Sequence, residues 1–254
     1  MPNVNDFFTN KNTVKNISEN QLSQLSDFLI PIEAFARTTN SSIYVIDYNK
    51  KGFDYVSSNP LFLCGHSPSE VIEMGYEFYF KYVTQKDIEL LLKINQVGFD
   101  FYEKIPLIER TDYTISYDFH LKNKENKTIL VNQKLTPLFL ADDGKIWKAM
   151  CVISISSSKK SGNIKIVKKN SNIVFKYQEI GNYWSSYESI QLTERDKEIL
   201  FYSSRGFTIN DIAKEIFISA NTVKFHRKKL FEKLNVSNIS EAIVFATNNG
   251  LLQP

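Results

Sequence analysis

The chain has 254 residues, of which 43% are hydrophobic and 23% charged, as is ordinary for a globular protein with one large or two smaller domains. No segment approaches the roughly 18 consecutive apolar residues that span a bilayer, and the polar N-terminus lacks the basic start and apolar core of a signal peptide. We therefore expect a cytoplasmic protein without membrane contact. Its two cysteines, Cys64 and Cys151, make no disulfide framework and have no metal-ligand spacing.

The net charge of +3 is small, but the charge is unevenly distributed along the chain. Residues 1–157 hold 16 Lys and Arg against 19 Asp and Glu, whereas residues 158–191 hold 6 against 2 and residues 192–254 hold 9 against 7. The basic charge therefore lies in the last third of the sequence, where a polyanion would bind. Taken by itself, this pattern is more typical of a solvated surface than of a binding site.

A helix is predicted near the N-terminus, over residues 17–37. Apolar residues recur there at intervals of three and four, and Pro31 is expected to interrupt or end the helix. Such a helix packs either on the domain that follows it or on a partner subunit, and the sequence leaves both alternatives open. Residues 1–37 are therefore interpreted as an N-terminal helical extension.

Residues 38–157 contain two predicted strands, several short helices and three long strands, in that order. The first two strands flank a turn at residues 49–52, in which Gly52 suits a positive φ. The sequence Ser-Pro-Ser-Glu at residues 67–70 indicates a helix start, since proline is tolerated in the first turn. The last three segments alternate or run apolar at strand length, which predicts a three-stranded antiparallel meander.

This segment resembles the PAS family, whose fold is a five-stranded antiparallel sheet with short helices covering one face. The resemblance rests on the order of the elements, on Ser57-Ser58-Asn59-Pro60 after the second strand, and on Gly65-His66-Ser67-Pro68-Ser69-Glu70 before the next helix. It implies an α+β sensor or dimerisation domain over residues 38–157. Residues 158–190 are a predicted linker with a β-hairpin, which either extends this sheet or stands between two domains.

From residue 191 the pattern becomes helical, and four short helices joined by tight turns are predicted. Thr193 and Thr208 are each followed three residues later by an aspartate, as in a capping box. Ser219 and Asn238 are the expected caps of the third and fourth helices. Residues 191–254 are therefore expected to form an all-α domain.

The third of these helices carries the pattern typical of nucleic-acid binding. Val223, Leu230 and Leu234 form its inner face, and the small Ala213 in the preceding helix permits the close crossing of a helix-turn-helix. Residues 219–234 hold five Lys and Arg against one Glu. The N-terminal half of such a helix is the part that reaches base edges in the major groove.

The segment 191–254 closely resembles the LuxR-type helix-turn-helix domain, and the matching residues keep the family's spacing throughout. They are Leu192-Thr193, Arg195, Glu198-Ile199-Leu200, Gly206, Ile212-Ala213, Ile218-Ser219, Thr222-Val223-Lys224, His226, Lys233-Leu234, Val236 and Glu241-Ala242. The resemblance implies sequence-specific binding of double-stranded DNA by a homodimer, with the last helix often at the subunit contact. Two positions depart from the family pattern: Asp196 stands where Glu is usual, and Ile239 where Arg is common.

Carried over residue by residue, the resemblance implies two sets of DNA contacts. The base contacts are assigned to Lys224, Phe225 and Lys228. The phosphate contacts are assigned to Thr208, Asn221, Thr222, Arg227 and Lys229. The start of a helix also favours phosphate on general electrostatic grounds. We predict no catalytic residue and no metal site. No cofactor is predicted, and the sequence identifies neither cofactor-binding residues nor a small-molecule ligand of the PAS-like domain.

Enzymatic functions find no support, because the sequence has no Gly-rich phosphate loop, no nucleophile elbow and no paired metal-binding histidines. Two regulatory hypotheses remain. In the first, the PAS-like domain senses a small molecule or a protein signal and alters DNA binding by the C-terminal domain. In the second, it is a ligand-free dimerisation and protein-interaction module. A cavity with a few converging polar groups would favour the first hypothesis, and a filled core the second.

Overall fold

The computed structural model describes residues 2–23, 25, 27–248 and 251. The chain divides into two compact units, Met1–Tyr187 and Glu188–Pro254. The first unit is an α+β domain built on one sheet, and the second unit is all-α. This is the predicted fold class. Each helix in the part of the chain that the structure describes falls short of the length or the hydropathy that a membrane-spanning helix requires.

The first unit, as far as the structure describes it, arranges short helices around long strands. Its helices are α1 (Glu19–Ser23), α2 (Leu29–Thr38), α3 (Pro60–Leu63), α4 (Pro68–Met74), α5 (Glu77–Tyr82) and α6 (Gln85–Tyr102), with 3-10 turns at Val4–Phe7 and Leu107–Asp112. Its strands are β1 (Ser42–Asp47), β2 (Gly52–Val56), β3 (Tyr113–Lys122), β4 (Thr128–Leu140), β5 (Ile146–Ile155), β6 (Gly162–Lys168), β7 (Ile173–Gln178) and β8 (Tyr183–Glu188).

The strands form one sheet in the order β2-β1-β5-β4-β3-β6-β7-β8. The first five strands of this order are the antiparallel sheet that the PAS resemblance implies. The whole sheet has eight strands within the described residues, because β6, β7 and β8 add to these five. The hairpin predicted within residues 158–190 extends the sheet, because β6 pairs antiparallel with β3, with Ile115 opposite Ile166. The alternating Ile164 and Ile166 are buried by this pairing.

Two local predictions need correction. The helix predicted over residues 17–37 is divided into α1 and α2, and Asp27 between them has a positive φ of 61°. Pro31 lies in the first turn of α2, where a missing N–H removes no helical hydrogen bond. In the turn between β1 and β2, the positive φ falls on Lys51 (58°), and Gly52 opens β2 instead.

The N-terminal residues ahead of α1 are part of the core of the first unit. Phe7 is buried, and its carbonyl oxygen accepts hydrogen bonds of 2.7 Å from the side-chain amides of both Asn12 and Asn95. The Lys11 ammonium lies 2.5 Å from an Asp100 carboxylate oxygen on α6. These contacts fix residues 7–12 against α6, on the helical side of the sheet.

The core between the helices and the sheet is rich in aromatic residues whose polar atoms form a chain of hydrogen bonds. The hydroxyl of Tyr44 lies 2.6 Å from that of Tyr79 and donates to Gln133 Oε1 at 2.8 Å. The Gln133 amide in turn donates to the Tyr117 hydroxyl at 2.7 Å. Burial raises the pKa of Tyr44, Tyr79 and Tyr117 well above the ordinary value. These hydroxyls are therefore uncharged hydrogen-bonding groups.

A buried ion-pair cluster joins β1, β2 and β5. The Lys148 ammonium lies 2.5 Å from Asp47 Oδ2 and also pairs with Asp54. The side chains of Lys148 and Asp47 are each only 2% exposed, so solvent does little to screen their charges. Lys50, which is 67% exposed, pairs with the same Asp54 from the surface.

Replacing Lys148 with Ala is expected to lower the free energy of unfolding of the first unit by about 3–5 kcal/mol, since the buried Asp47 loses its counter-ion and Asp54 keeps only the exposed Lys50. Urea unfolding followed by tryptophan fluorescence reports this unit, because both tryptophans, Trp147 and Trp184, lie in it. The control Lys50→Ala removes an exposed ammonium from the same carboxylate and should cost less than about 1 kcal/mol. Equal losses of unfolding free energy in the two variants would contradict a larger contribution from the buried Lys148 charge than from the exposed Lys50 charge.

Candidate nucleic-acid interface

The second unit contains the four predicted helices. They are α7 (Glu194–Ser204), α8 (Ile209–Glu215), α9 (Ala220–Leu234) and α10 (Ile239–Asn248). Capping boxes form at Thr193 and Thr208, and the Ser219 hydroxyl accepts the N–H of Thr222, as the sequence predicts. Asn238 Oδ1 likewise accepts the Glu241 N–H at 2.9 Å. These local bonds fix where each helix begins.

Helix α9 is held by two apolar clusters, one at each end. Val223, near its start, is fully buried against Ile199, Ile212, Ala213 and Ile216 of α7 and α8. Near its end, a second cluster joins α9 to α7 and α10 through Leu200, Leu230, Leu234, Ala242 and Ala246. The apolar face of α9 is therefore covered along its length, and its opposite face meets solvent.

Two polar contacts tie the helices together, and the sequence analysis did not find them. The Lys233 ammonium on α9 lies 3.0 Å from Asp196 Oδ2 on α7. The Arg195 guanidinium on α7 donates to the carbonyl of Ile216, at the end of α8, at 3.3 Å. The partners are 37 and 21 residues apart in sequence, so no helical periodicity reveals either pair.

The turn between α8 and α9 contains a strained residue. Phe217 has a φ of 55°, in the left-handed region that favours glycine, and its side chain is 93% exposed. The turn is closed by a hydrogen bond of 3.0 Å from the Ile218 N–H to the Ala213 carbonyl. The exposed ring gains little from packing, so nothing in its burial offsets the backbone strain.

The exposed face of α9 carries the three residues that the sequence analysis assigned to bases. Lys224, Phe225 and Lys228 are exposed and lie opposite the buried Val223 and Leu230. Within the described residues, neither Lys224 nor Lys228 lies in ion-pair contact with a carboxylate. Both ammonium groups are therefore available to a ligand.

The five residues assigned to phosphate contacts differ in their exposure and in the contacts that they already make within the domain. Asn221 is exposed in the first turn of α9. The hydroxyls of Thr208 and Thr222 already take part in helix caps, the first by donating to Asp211 Oδ2 at 2.6 Å. The Arg227 guanidinium lies over the Phe231 ring, and the Lys229 ammonium lies 4.6 Å from the centroid of the Phe225 ring. Four of the five residues therefore lie on α9, with Asn221 and Thr222 in its first turn and Arg227 and Lys229 further along, whereas Thr208 caps α8.

The comparisons with known proteins concern mainly this unit. The model of the bacterial regulatory proteins of the luxR family matches residues 190–246. The C-terminal domain belongs to this family. A probable csgAB operon transcriptional regulatory protein of Salmonella typhimurium is 47% identical over 70 residues, which cover 27% of this chain and 32% of that protein. The chain thus aligns with about a third of the length of that relative.

Two further similarities extend over more of the chain. The transcriptional activator protein EchR of Dickeya chrysanthemi is 22% identical over 224 residues, which cover 83% of this chain and 84% of EchR. The alignment of this chain with the structure of the LuxR-type receptor VqmA from Vibrio cholerae covers 88% of each of the two chains, at 18% sequence identity and a TM-score of 0.33. Identity is lower in these two longer alignments than in the alignment of the C-terminal domain with the Salmonella protein.

In the LuxR-type domain, Asp196 performs the capping role despite its departure from the usual Glu. Burial opposes ionisation of its carboxyl, but hydrogen bonds from Lys233 and Thr193 outweigh burial and lower its pKa below the ordinary value. A lowered pKa in the folded state means that the carboxylate stabilises the domain above its ordinary pKa, about 3.9. This contribution is lost as the pH falls through the lower, folded-state value.

Replacing Asp196 with Asn keeps a cap acceptor but removes the charge, and should destabilise the LuxR-type domain by about 1 kcal/mol at neutral pH. The variant should also lose less stability than wild type on acidification below the ordinary aspartate pKa. Amide hydrogen exchange in α7 and α9, corrected for the intrinsic pH dependence, measures both effects. Glu194→Gln, which alters an 86% exposed carboxylate in the same turn, is the control and should change neither. If stability fell on acidification by the same amount in Asp196→Asn and in wild type, the contribution assigned to the Asp196 carboxylate would be refuted.

Replacing Phe217 with Gly is expected to stabilise the domain by up to about 1 kcal/mol, because the left-handed backbone strain disappears. The matched control is Phe201→Gly, which alters another exposed phenylalanine within helix α7. That variant should lose about 1 kcal/mol, since glycine weakens a helix interior. Amide exchange in α8 and α9 measures the first change, and exchange in α7 the second. Destabilisation by both substitutions would show that the Phe217 turn is not strained.

Proposed function

We propose that this chain is a transcriptional regulator that binds DNA sequence-specifically through α9. The observation that carries this proposal is the exposed cationic face of α9, held outward by buried residues on its other side within a LuxR-type domain. A protruding helix of this kind fits the major groove, where each base pair presents a distinct pattern of donors and acceptors.

The proposed contacts divide by chemistry. Lys224 and Lys228 donate to acceptors on base edges, and the Phe225 ring makes apolar contacts beside them. Asn221, Arg227 and Lys229 bind phosphates around this face, together with Thr208 and Thr222 through groups that their caps leave available. The phosphate contacts position the helix, and the base contacts supply sequence selectivity.

A homodimer is the assembly that this function favours, because a single small helix-turn-helix reads only one half-site. The apolar side chain of Val244 on α10 is 55% exposed, and this supports α10 as a subunit contact. Two copies would double the phosphate and base contacts on a symmetric operator.

Signal sensing by the PAS-like domain is favoured over a ligand-free dimerisation module by one observation. The first unit contains a cavity of about 80 Å³ between α6 and the sheet, lined by apolar residues and a few polar ones. A filled core would have favoured the second hypothesis. We therefore propose that a small molecule bound in this domain alters DNA binding by the LuxR-type domain.

The test is fluorescence anisotropy of the full chain with DNA selected from a random duplex pool, at two salt concentrations. Wild type should bind selected DNA with a Kd on the order of 10⁻⁸ M, weakened by salt. The double variant Lys224→Ala with Lys228→Ala should bind at least about tenfold more weakly and lose its preference for the selected sequence.

The matched control is Lys159→Ala with Lys160→Ala, which removes the same charge from two exposed positions in the first unit. It should leave both affinity and selectivity close to wild type. Equal loss in the two double variants would mean that net charge, and not the α9 face, determines binding. Unchanged selectivity in the Lys224 and Lys228 variant would overturn the base-contact assignment.

A further inference from the structure

The cavity of the first unit is lined by uncharged residues. Within the described residues, no Asp, Glu, Lys, Arg or His side chain is part of the lining. Aromatic walls are contributed by Tyr48, Tyr76, Phe99 and Tyr102, and aliphatic walls by residues such as Ile94 and Ile146. A buried charge needs a compensating partner, so an ionised ligand would be poorly accommodated here.

The size of the cavity restricts its ligand further. A water molecule needs roughly 10–15 Å³ of volume measured in this way, so about 80 Å³ holds roughly five to eight such groups. This is room for one six-membered ring with a small substituent. A haem or a flavin is far larger than this space.

Tyr102 supplies a polar group that the folded chain leaves unused. It is 8% exposed and lines the cavity, and its buried hydroxyl has no hydrogen-bond partner among the described residues. By contrast, Tyr79 and Tyr117 in the same lining are bonded within the chain that runs through Gln133. Burial raises the pKa of Tyr102 well above the ordinary value, so its hydroxyl is a neutral donor. An unpaired buried hydroxyl is costly, and a ligand acceptor would remove that cost.

We propose that the cavity binds a small, uncharged, planar molecule whose acceptor atom receives the hydrogen bond of the Tyr102 hydroxyl. This inference rests on the sensing role proposed above and gives it a ligand class. A quaternary ammonium ion would also favour aromatic walls, but it has no acceptor for Tyr102.

Three probes of similar size test the acceptor and the charge. Pyridine and benzene differ in one ring atom, and only pyridine has an acceptor; N-methylpyridinium carries a charge and has its nitrogen blocked. Binding to the full chain is measured by saturation-transfer NMR titration at mildly alkaline pH, where pyridine is uncharged. Wild type should bind pyridine and benzene, and N-methylpyridinium more weakly than either.

The decisive comparison is between wild type and Tyr102→Phe. The variant should bind pyridine about two- to tenfold more weakly, as expected for one lost hydrogen bond, while its affinity for benzene stays equal or rises. Its melting temperature should not fall, because the removed hydroxyl has no partner in the folded chain. Tyr55→Phe is the matched control, since Tyr55 packs in a separate cluster outside the cavity, and it should change no probe affinity.

Each other outcome overturns the proposal. Equal changes for pyridine and benzene, or none, would exclude Tyr102 as the anchor. Tightest binding of N-methylpyridinium would identify a cation cage, and no binding of any probe would exclude a ligand site. Fluorescence anisotropy with selected DNA is measured on the same protein preparations. Because it reports DNA binding by α9 directly, it distinguishes a wrong ligand proposal from a wrong proposed function.

Discussion

Burial of Val223, Leu230 and Leu234 determines which face of α9 meets solvent, and the proposed function depends on that face. Each fully buried side chain of this kind contributes about 1.5–3 kcal/mol, whereas the partly exposed Lys233–Asp196 pair contributes up to about 1 kcal/mol. Apolar packing therefore holds the helix, and the ion pair refines its position. Because the two apolar clusters lie at opposite ends of α9, neither end is free to rotate its cations inward.

The first unit is governed by a different constraint, which is the satisfaction of polar groups inside an aromatic core. Tyr79, Tyr44, Gln133 and Tyr117 meet this constraint by bonding to one another in a chain that joins α5 to β1, β4 and β3. Tyr102, at the end of α6, does not take part in that chain. The same core thus contains a network of satisfied hydrogen bonds and one hydroxyl, that of Tyr102, that remains available as a donor. Tyr102 lines the cavity.

The sequence predicted features that depend on nearby residues better than those that depend on distant ones. The caps at Thr193, Thr208, Ser219 and Asn238 need partners three residues away, and all four were predicted correctly. The attachment of β6 to β3 and the Lys233–Asp196 pair depend on residues tens of positions apart, which periodicity does not reveal. The positive φ of Lys51 and Phe217 escaped prediction because neither residue is a glycine, so residue type did not indicate that conformation. The DNA contacts assigned to α9 remain predictions, although the exposure of Lys224, Phe225 and Lys228 agrees with them.

The added strands β6–β8 give the cavity a physical connection to the end of the first unit. Phe101 on α6 lines the cavity, and its ring lies 5.0 Å from that of Phe175 on β7 and 5.1 Å from that of Trp184 on β8, measured between centroids. Close-packed interiors transmit displacement, so a ligand that shifts Phe101 also shifts its two ring partners. Strand β8 ends at Glu188, where the LuxR-type unit begins in the chain. This ring packing therefore joins the wall of the cavity, through the added strands, to the strand that leads along the chain into the LuxR-type unit.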